Sequence, residues 1–219
     1  MERSGHRRDA PRRRRLRHRD RLRAREGARS ARHPRVTTVT ILRAADRRPQ
    51  PWKNGGGVTR EIVTYPPGSG VEDFGWRLSM ADVEAPGAFS HFAGVDRYLM
   101  MLRGTMRLDI RAEPLSPQED AVAFPGDVPV HGEPIGGPAL DLNLMVRRDR
   151  FVGQLRRVEA GALVTTNGYS AIVFATDATT VSFDQQSIDL APFDAVLVEG
   201  IATITSPSPL IVAQVTDLR

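Results

Sequence analysis

Short runs of β-branched and other apolar residues recur from residue 36 onward, separated by clusters of glycine, proline and aspartate. Such residues fit the pleated surface of a sheet, and short strands at this spacing are typical of a β-sandwich or barrel. No window shows the apolar repeat of a long amphipathic helix. We therefore predict an all-β, antiparallel fold with strands in segments 36–43, 58–65, 76–83, 98–103, 106–111, 140–146, 169–175, 180–183, 195–198, 201–205 and 210–215.

Two turns contain a glycine between apolar runs. Gly104 lies within residues 102–106 and Gly200 within residues 198–201, and each turn follows a run that ends in Leu or Val. Glycine adopts the positive φ of a tight turn at little cost, so both sites predict β-hairpins. Their similarity indicates two β-rich halves, residues 36–150 and 151–219, although no clean sequence repeat accompanies it.

The charge of the chain is divided unevenly. The first 35 residues carry 15 arginines and four acidic groups, a net charge of +11, whereas the other 184 residues carry 16 basic and 22 acidic groups, a net charge of −6. The basic pI is therefore a property of the tail, and the mildly acidic body does not have the charge of a nucleic-acid-binding domain.

Residues 1–35 contain few apolar residues, no aromatic residue and no helical stripe. Such a segment cannot bury enough surface to offset its ordering entropy, so we expect a disordered tail, or a mis-assigned start with the true one near Val36. An arm that follows nucleic-acid phosphates is the other interpretation, but it lacks stacking aromatics. No secretory apolar region and no run of about 18 apolar residues is present, so we expect a cytoplasmic protein without a membrane span.

Residues that bind metals are scarce. The chain has no cysteine, which excludes disulfides, thiolate nucleophiles and cysteine-ligated metals. Outside the tail the only histidines, His91 and His131, stand 40 residues apart, whereas a transition-metal site needs three or four converging ligands. We therefore expect neither a metal nor another cofactor.

Polar and apolar residues alternate in three of the predicted strands. Arg77 and Ser79 share one face of residues 76–81, and Asp141 and Asn143 share one face of residues 141–146, while Glu61 lies in the segment 59–63. Two interpretations remain open: the polar faces meet solvent, or they line a barrel interior around a small polar ligand. In the second case a buried arginine needs a carboxylate or an anionic ligand.

The segment Pro51-Trp52-Lys53-Asn54-Gly55-Gly56-Gly57 joins three glycines to the only lysine of the chain. It has neither the order of a P-loop nor the spacing of a dinucleotide fingerprint, so no nucleotide site follows. Its backbone N–H groups, the Lys53 ammonium and the Asn54 amide suit an anionic small molecule.

Five motifs in order resemble the HutD/Ves family: 51–62 around Trp-Lys-Asn-Gly-Gly-Gly, 75–83, 89–97, 124–127 and 137–145. The resemblance is strong over about residues 38–148 and weak beyond. It implies a cupin-like barrel, two of them fused, without the usual cupin metal ligands.

The resemblance also implies a regulatory protein of histidine utilisation that binds an anionic metabolite such as formylglutamate or urocanate, and we add the expectation of a homodimer. Lys53 and Arg77 would pair with ligand carboxylates, Asn54 and Asn143 would hold its amide or formyl group, and carboxylates would orient the cations. The ligand-binding residues expected on this basis are Trp52, Lys53, Asn54, Gly55, Gly56, Glu61, Arg77, Ser79, Asp127, Asp141 and Asn143.

A metal-independent enzyme, an isomerase or hydrolase acting on a small acidic substrate, is the alternative. Glu61 or His131 would carry the proton and Lys53 would assist as an electrophile. No catalytic residue is assigned, because this requires two titrating groups near one substrate atom.

Overall fold

The computed structural model describes residues 37–167, 169–183 and 186–219. The expectations for residues 1–35 lie outside these ranges. The described part contains β-strands and one 3-10 turn, Ala44–Asp46, and its paired strands run antiparallel. The all-β prediction is thus confirmed.

Sixteen strands are present in the described ranges. In chain order, β1 to β16 are Thr38–Leu42, Pro49–Pro51, Gly57–Tyr65, Trp76–Val83, Gly87–Ala88, Val95–Leu108, Val122–Pro125, His131–Arg147, Phe151–Val158, Val164–Thr165, Ser170–Phe174, Thr179–Phe183, Gln186–Leu190, Ala195–Glu199, Thr203–Thr205 and Leu210–Asp217.

Both predicted hairpins are wrong. Gly104 has the expected positive φ, +71°, but it lies inside the single long strand β6, where the register against β8 shifts on both sides of Arg103. A Cβ at Gly104 would stand 2.8 Å from the Pro138 carbonyl oxygen, so the glycine serves a bulge pressed against β8. Gly200, at φ +117°, connects β14 to β15, which belong to different sheets.

The strands form three sheets. The N-terminal sheet has the order β2-β3-β4-β8-β6-β7, with β5 also paired to β8; the five-stranded sheet has the order β1-β14-β11-β16-β9, and the four-stranded sheet β10-β15-β12-β13. The first strand thus pairs with β14, from Thr38 opposite Glu199 to Leu42 opposite Ala195. A division of the chain at residue 150 would separate β1 from the sheet that it joins, because the other four strands of that sheet lie after residue 150.

Apolar side chains bind the sheets to one another. On β4, Trp76, Leu78 and Met80 point away from Arg77 and Ser79, as the two-residue period of a strand requires. They join side chains of β8 and of the five-stranded sheet in one cluster, the central core. A second cluster joins the five-stranded and four-stranded sheets. The central strands of the five-stranded sheet, β11, β14 and β16, are therefore largely buried on both faces, whereas its edge strands β1 and β9 carry exposed residues. The described residues include no helix long and apolar enough to span a membrane.

We predict that Gly57→Ala destabilises the fold by about 1–3 kcal/mol, the usual cost of overpacking. A Cβ at Gly57 would stand 2.4 Å from the backbone oxygen of Asp82 and 3.1 Å from the Trp52 ring. Because the first of these atoms belongs to the paired strand, side-chain rotation cannot relieve the clash. Urea unfolding would measure the loss.

Gly70→Ala is the matched control. Its Cβ would meet only the Asp73 side chain, at 3.4 Å, in an exposed loop. Equal stability of the two variants would contradict the close approach at Gly57.

Candidate functional site

A cavity of about 540 Å³ opens on the face of the N-terminal sheet opposite to the central core. We call it the main pocket. Strands β3, β4, β6 and β8 supply its floor, and the loop that contains Lys53 forms part of its wall. The polar and charged residues that line it are Gln50, Lys53, Asn54, Thr59, Arg77, Ser79, Ser90, Arg97, Asp141 and Asn143, together with Trp52.

Strand register brings the two arginines of this set into one row. Arg77 on β4 is opposite Met145 on β8, and Met145 is in turn opposite Arg97 on β6. The same register aligns other pocket residues, Ser79 with Asn143 and Ala81 with Asp141. Alternation along three neighbouring strands thus gathers these groups on one surface.

Arg77 is buried, with 6% of its surface exposed, and its guanidinium is held on both sides. Its Nε donates to Glu61 Oε2 at 2.9 Å, and its Nη1 donates to Ser79 Oγ at 3.1 Å. Glu61 therefore supplies the carboxylate that a buried arginine requires, although Glu61 itself does not line the pocket. The interior interpretation of the polar face therefore applies to Arg77 and Ser79, which are buried and line the pocket.

Arg97 is equally buried but has a different environment. Its Nη1 donates to the Ser90 carbonyl oxygen at 3.1 Å, and its guanidinium carbon lies 5.0–5.6 Å from the ring centroids of Phe89, Phe92 and Phe124. Its Nε has no hydrogen-bond partner. Burial lowers the pKa of Arg97 to about 10, against the opposing effect of Asp141, so the group stays charged at neutral pH. Within the described ranges no carboxylate forms an ion pair with it.

Two oxygen atoms in the main pocket also lack protein partners. Asp141 is 2% exposed and Asn143 8%, and the Oδ1 atom of each is buried without a hydrogen bond. Burial raises the pKa of Asp141 from 3.8 to about 7; the Arg97 charge opposes this shift and the Asp82 charge adds to it. Unpaired buried acceptors are costly, so both atoms favour a ligand that donates hydrogen bonds.

The glycine-rich loop is tied together by its own hydrogen bonds. The Trp52 indole donates to Thr59 Oγ1 at 2.8 Å, while the Gly55 and Gly56 N–H groups donate to the Trp52 carbonyl and to Asn54 Oδ1. Gly55 has a φ of +70°. These two glycines shape the loop and do not line the main pocket, and their N–H groups already have protein partners. Lys53 is exposed and lines the pocket.

Two further candidate residues, Asp127 and His131, also do not line the main pocket. Asp127 accepts from the Arg148 guanidinium at 3.0 and 3.1 Å, and it does not line the main pocket. His131 is exposed, and its backbone N–H donates to Asp109. Neighbouring Gly132 lines the pocket because residue parity turns His131 away from it.

Arg97 is the residue that sequence reasoning missed as a site residue. Its strand places Arg97, Leu99 and Met101 on one face, a pattern with a single polar member that resembles an ordinary core strand. The nearby phenylalanines Phe89 and Phe92 are the sequence feature that indicates a buried Arg97, since aromatic faces attract a guanidinium.

Within residues 37–167, 169–183 and 186–219, no group of three His, Asp or Glu side chains converges in a way that could hold a metal ion. The polar groups of the residues that line the main pocket are guanidinium, ammonium, amide, hydroxyl, carboxyl and indole groups.

The fold and its polar pocket define a cupin-like protein. A cupin 2 conserved barrel domain protein from Leptotrichia buccalis shares the fold with a TM-score of 0.50 and 9% identity, over 74% of this chain and 88% of that one. The chain belongs to the HutD family, whose model matches residues 44–209.

Two relatives are considerably more similar. HutD from Pseudomonas fluorescens SBW25, in a structure from a formate condition, has a TM-score of 0.71 and 30% identity, over 83% of this chain and all of its own. An uncharacterized 21.2 kDa protein of the hutC 3′ region of Pseudomonas putida is 36% identical over 170 residues, which are 75% of this chain and 89% of its own length. The family and its association with the hut region are thereby confirmed.

We predict that Asp141→Asn changes how stability depends on pH. In the wild type the unfolded chain releases the Asp141 proton near its ordinary pKa of 3.8, whereas the folded chain retains it until about 7. Rising pH therefore favours the unfolded state between these values. The wild type should lose a few kcal/mol relative to the variant across this window, at about 1.4 kcal/mol per pKa unit.

Urea unfolding of both proteins at a series of pH values would measure this loss. Other titrating groups cancel in the difference between the two proteins. Parallel stability profiles would show that Asp141 titrates normally.

Proposed function

We propose that this protein binds a small anionic metabolite of histidine breakdown in the main pocket and acts as a regulatory, non-catalytic protein of that pathway. The observation that carries the proposal is Arg97, a buried guanidinium that lines the pocket and forms no ion pair with any carboxylate of the described residues. A ligand anion would supply the missing charge.

The charges of the pocket favour an anion. Lys53, Arg77 and Arg97 are positive, whereas Glu61 already pairs with Arg77, and the raised pKa of Asp141 leaves it partly neutral near pH 7. At least one positive charge is therefore uncompensated. Guanidinium groups bind carboxylates through paired hydrogen bonds, so a carboxylate is the expected anionic group.

The unpaired oxygens add a second requirement. Oδ1 of Asp141 and Oδ1 of Asn143 need hydrogen-bond donors, so the ligand should carry an N–H group beside its carboxylate. Formylglutamate has an amide N–H and urocanate has an imidazole N–H. The cavity of about 540 Å³ is within the usual range for small-molecule sites.

Two relatives support this pathway. The similar Pseudomonas putida protein is described as lying in the hutC 3′ region, and the similar Pseudomonas fluorescens structure is described as HutD. A metabolite of histidine breakdown would place the protein in the cytoplasm. We also propose a homodimer, which analytical ultracentrifugation would test.

Calorimetry with formylglutamate, urocanate, glutamate and formate is the direct test. We predict binding of at least one ligand that has both a carboxylate and an N–H group, with formate weaker because it lacks the N–H. Absence of heat with all four, in protein shown to be folded, would refute the proposed ligand class.

Arg97→Gln should weaken that binding about ten- to a hundred-fold, since a charge-assisted hydrogen bond contributes roughly 1.5–3 kcal/mol. Lys53→Gln removes another positive charge from the main pocket and should also weaken binding. Because Lys53 is exposed, this change should leave the fold intact. Arg148→Gln is the matched control, because Arg148 pairs with Asp96 and Asp127 away from the pocket. An equal loss in the control variant would assign the effect to overall charge.

The metal-independent enzyme is kept as a second candidate on one observation: Asp141 has a pKa of about 7 inside the pocket, a suitable value for a general acid or base. In this case Asp141 replaces Glu61 and His131 as proton carrier. NMR of candidate substrates incubated with the protein would detect turnover. Turnover that Asp141→Asn abolishes while binding persists would favour the enzyme over the binding protein.

A further inference from the structure

A second cavity, of about 310 Å³, lies on the other face of β4. We call it the junction cavity. Met80 and Asp82 line it, whereas Ser79 and Ala81, which alternate with them, line the main pocket. Phe193, which precedes β14, lines the same cavity, so both halves of the chain contribute to it.

The charges of the junction cavity are unbalanced. Arg47, Arg60 and Arg103 line it together with a single carboxylate, that of Asp82. Arg60 forms an ion pair with Asp82. Across the part of the chain that the structure describes, no ion pair involves Arg47 or Arg103. Two guanidinium groups of this cavity are thus left without a carboxylate within ion-pair distance among the described residues.

Arg47 is held beside the cavity by contacts that do not neutralise it. Its Nη2 donates to the Leu42 carbonyl at 3.2 Å and its Nη1 approaches Met80 Sδ at 3.5 Å, while its guanidinium carbon lies 5.9 Å from the Phe174 ring centroid. Its Nε is buried without a partner. Burial lowers the pKa of Arg47 to about 10, so the group remains positive at neutral pH.

The carboxylate that most affects Arg47, that of Asp194, is already engaged. It accepts from Arg43 Nη1 at 2.8 Å and from the backbone N–H groups of Ala44 and Ala191 at 2.7 and 3.0 Å. These contacts use both oxygens. Among the described residues Asp194 accepts no hydrogen bond from Arg47, so the Arg47 guanidinium is available to bind an anion.

We propose that the junction cavity is a second anion-binding site, which takes a small oxyanion with two negative charges. The charge of such an anion matches the two unpaired guanidinium groups, whose N–H forks bind phosphate or carboxylate oxygens in pairs. Inorganic phosphate and a dicarboxylate share this chemistry. Because residues of both halves line the cavity, a bound anion stabilises the junction between the halves.

Titration of the full-length protein with inorganic phosphate and with succinate tests the proposal, at ionic strength kept constant with chloride. We expect at least one of these anions to raise the melting temperature and to shift amide NMR signals near Arg47 and Phe193. Binding of phosphate alone would identify a tetrahedral oxyanion, and binding of succinate alone a dicarboxylate. Binding of neither would overturn the proposal.

Variants assign the binding to this cavity. Arg103 is exposed, so Arg103→Gln should leave the fold intact and weaken binding at least ten-fold. Arg107→Gln is the matched control, since Arg107 lies on the same strand, is exposed and pairs with Glu133. Arg97 lines the main pocket and not the junction cavity, so in Arg97→Gln the anion-induced shifts of the amide signals near Arg47 and Phe193 should occur at the wild-type anion concentration. Loss in Arg97→Gln together with full binding in Arg103→Gln would place the anion in the main pocket and refute the proposal.

Discussion

The pleat of β4 and β8 is the constraint on which both the architecture and the pocket depend. One face of these strands carries Trp76, Leu78 and Leu144 into the central core, and the other carries Arg77 and Asn143 into the main pocket. A slip of one residue would exchange the two faces and bury guanidinium charge in an apolar cluster. The register of β4 with β8 therefore determines both the apolar face that packs in the central core and the polar face that assembles the site.

The electrostatics of the pocket follow from how each charge is neutralised. Arg77 has a carboxylate partner in Glu61, whereas Arg97 has three aromatic rings and one carbonyl oxygen. Aromatic faces stabilise a cation without accepting its N–H groups in good hydrogen bonds, so Arg97 retains its capacity to bind an anion. Beside it, Asp141 holds its proton to higher pH because burial disfavours its charged form.

The sequence predicted local chemistry better than long-range pairing. Period-two alternation correctly grouped Arg77 with Ser79 and Asp141 with Asn143, because parity is a local property of a strand. Gly104 was mistaken for a hairpin because a positive φ serves a bulge as well as a turn. The pairing of β1 with β14 cannot be read from a local sequence pattern, since it depends on which strand edges of the sheet remain free after the other strands have paired. Asp127 came from a family motif that also contains structural residues, here an ion pair with Arg148.

The pairing of β1 with β14 also affects how the chain folds while it is being synthesised. Thr38 leaves the ribosome long before its sheet neighbour, Glu199, which follows it by 199 − 38 = 161 residues. Contacts so distant in sequence form slowly, and an unpaired strand edge is prone to aggregate meanwhile. During synthesis β1 therefore stays without its sheet partner until β14 has been made.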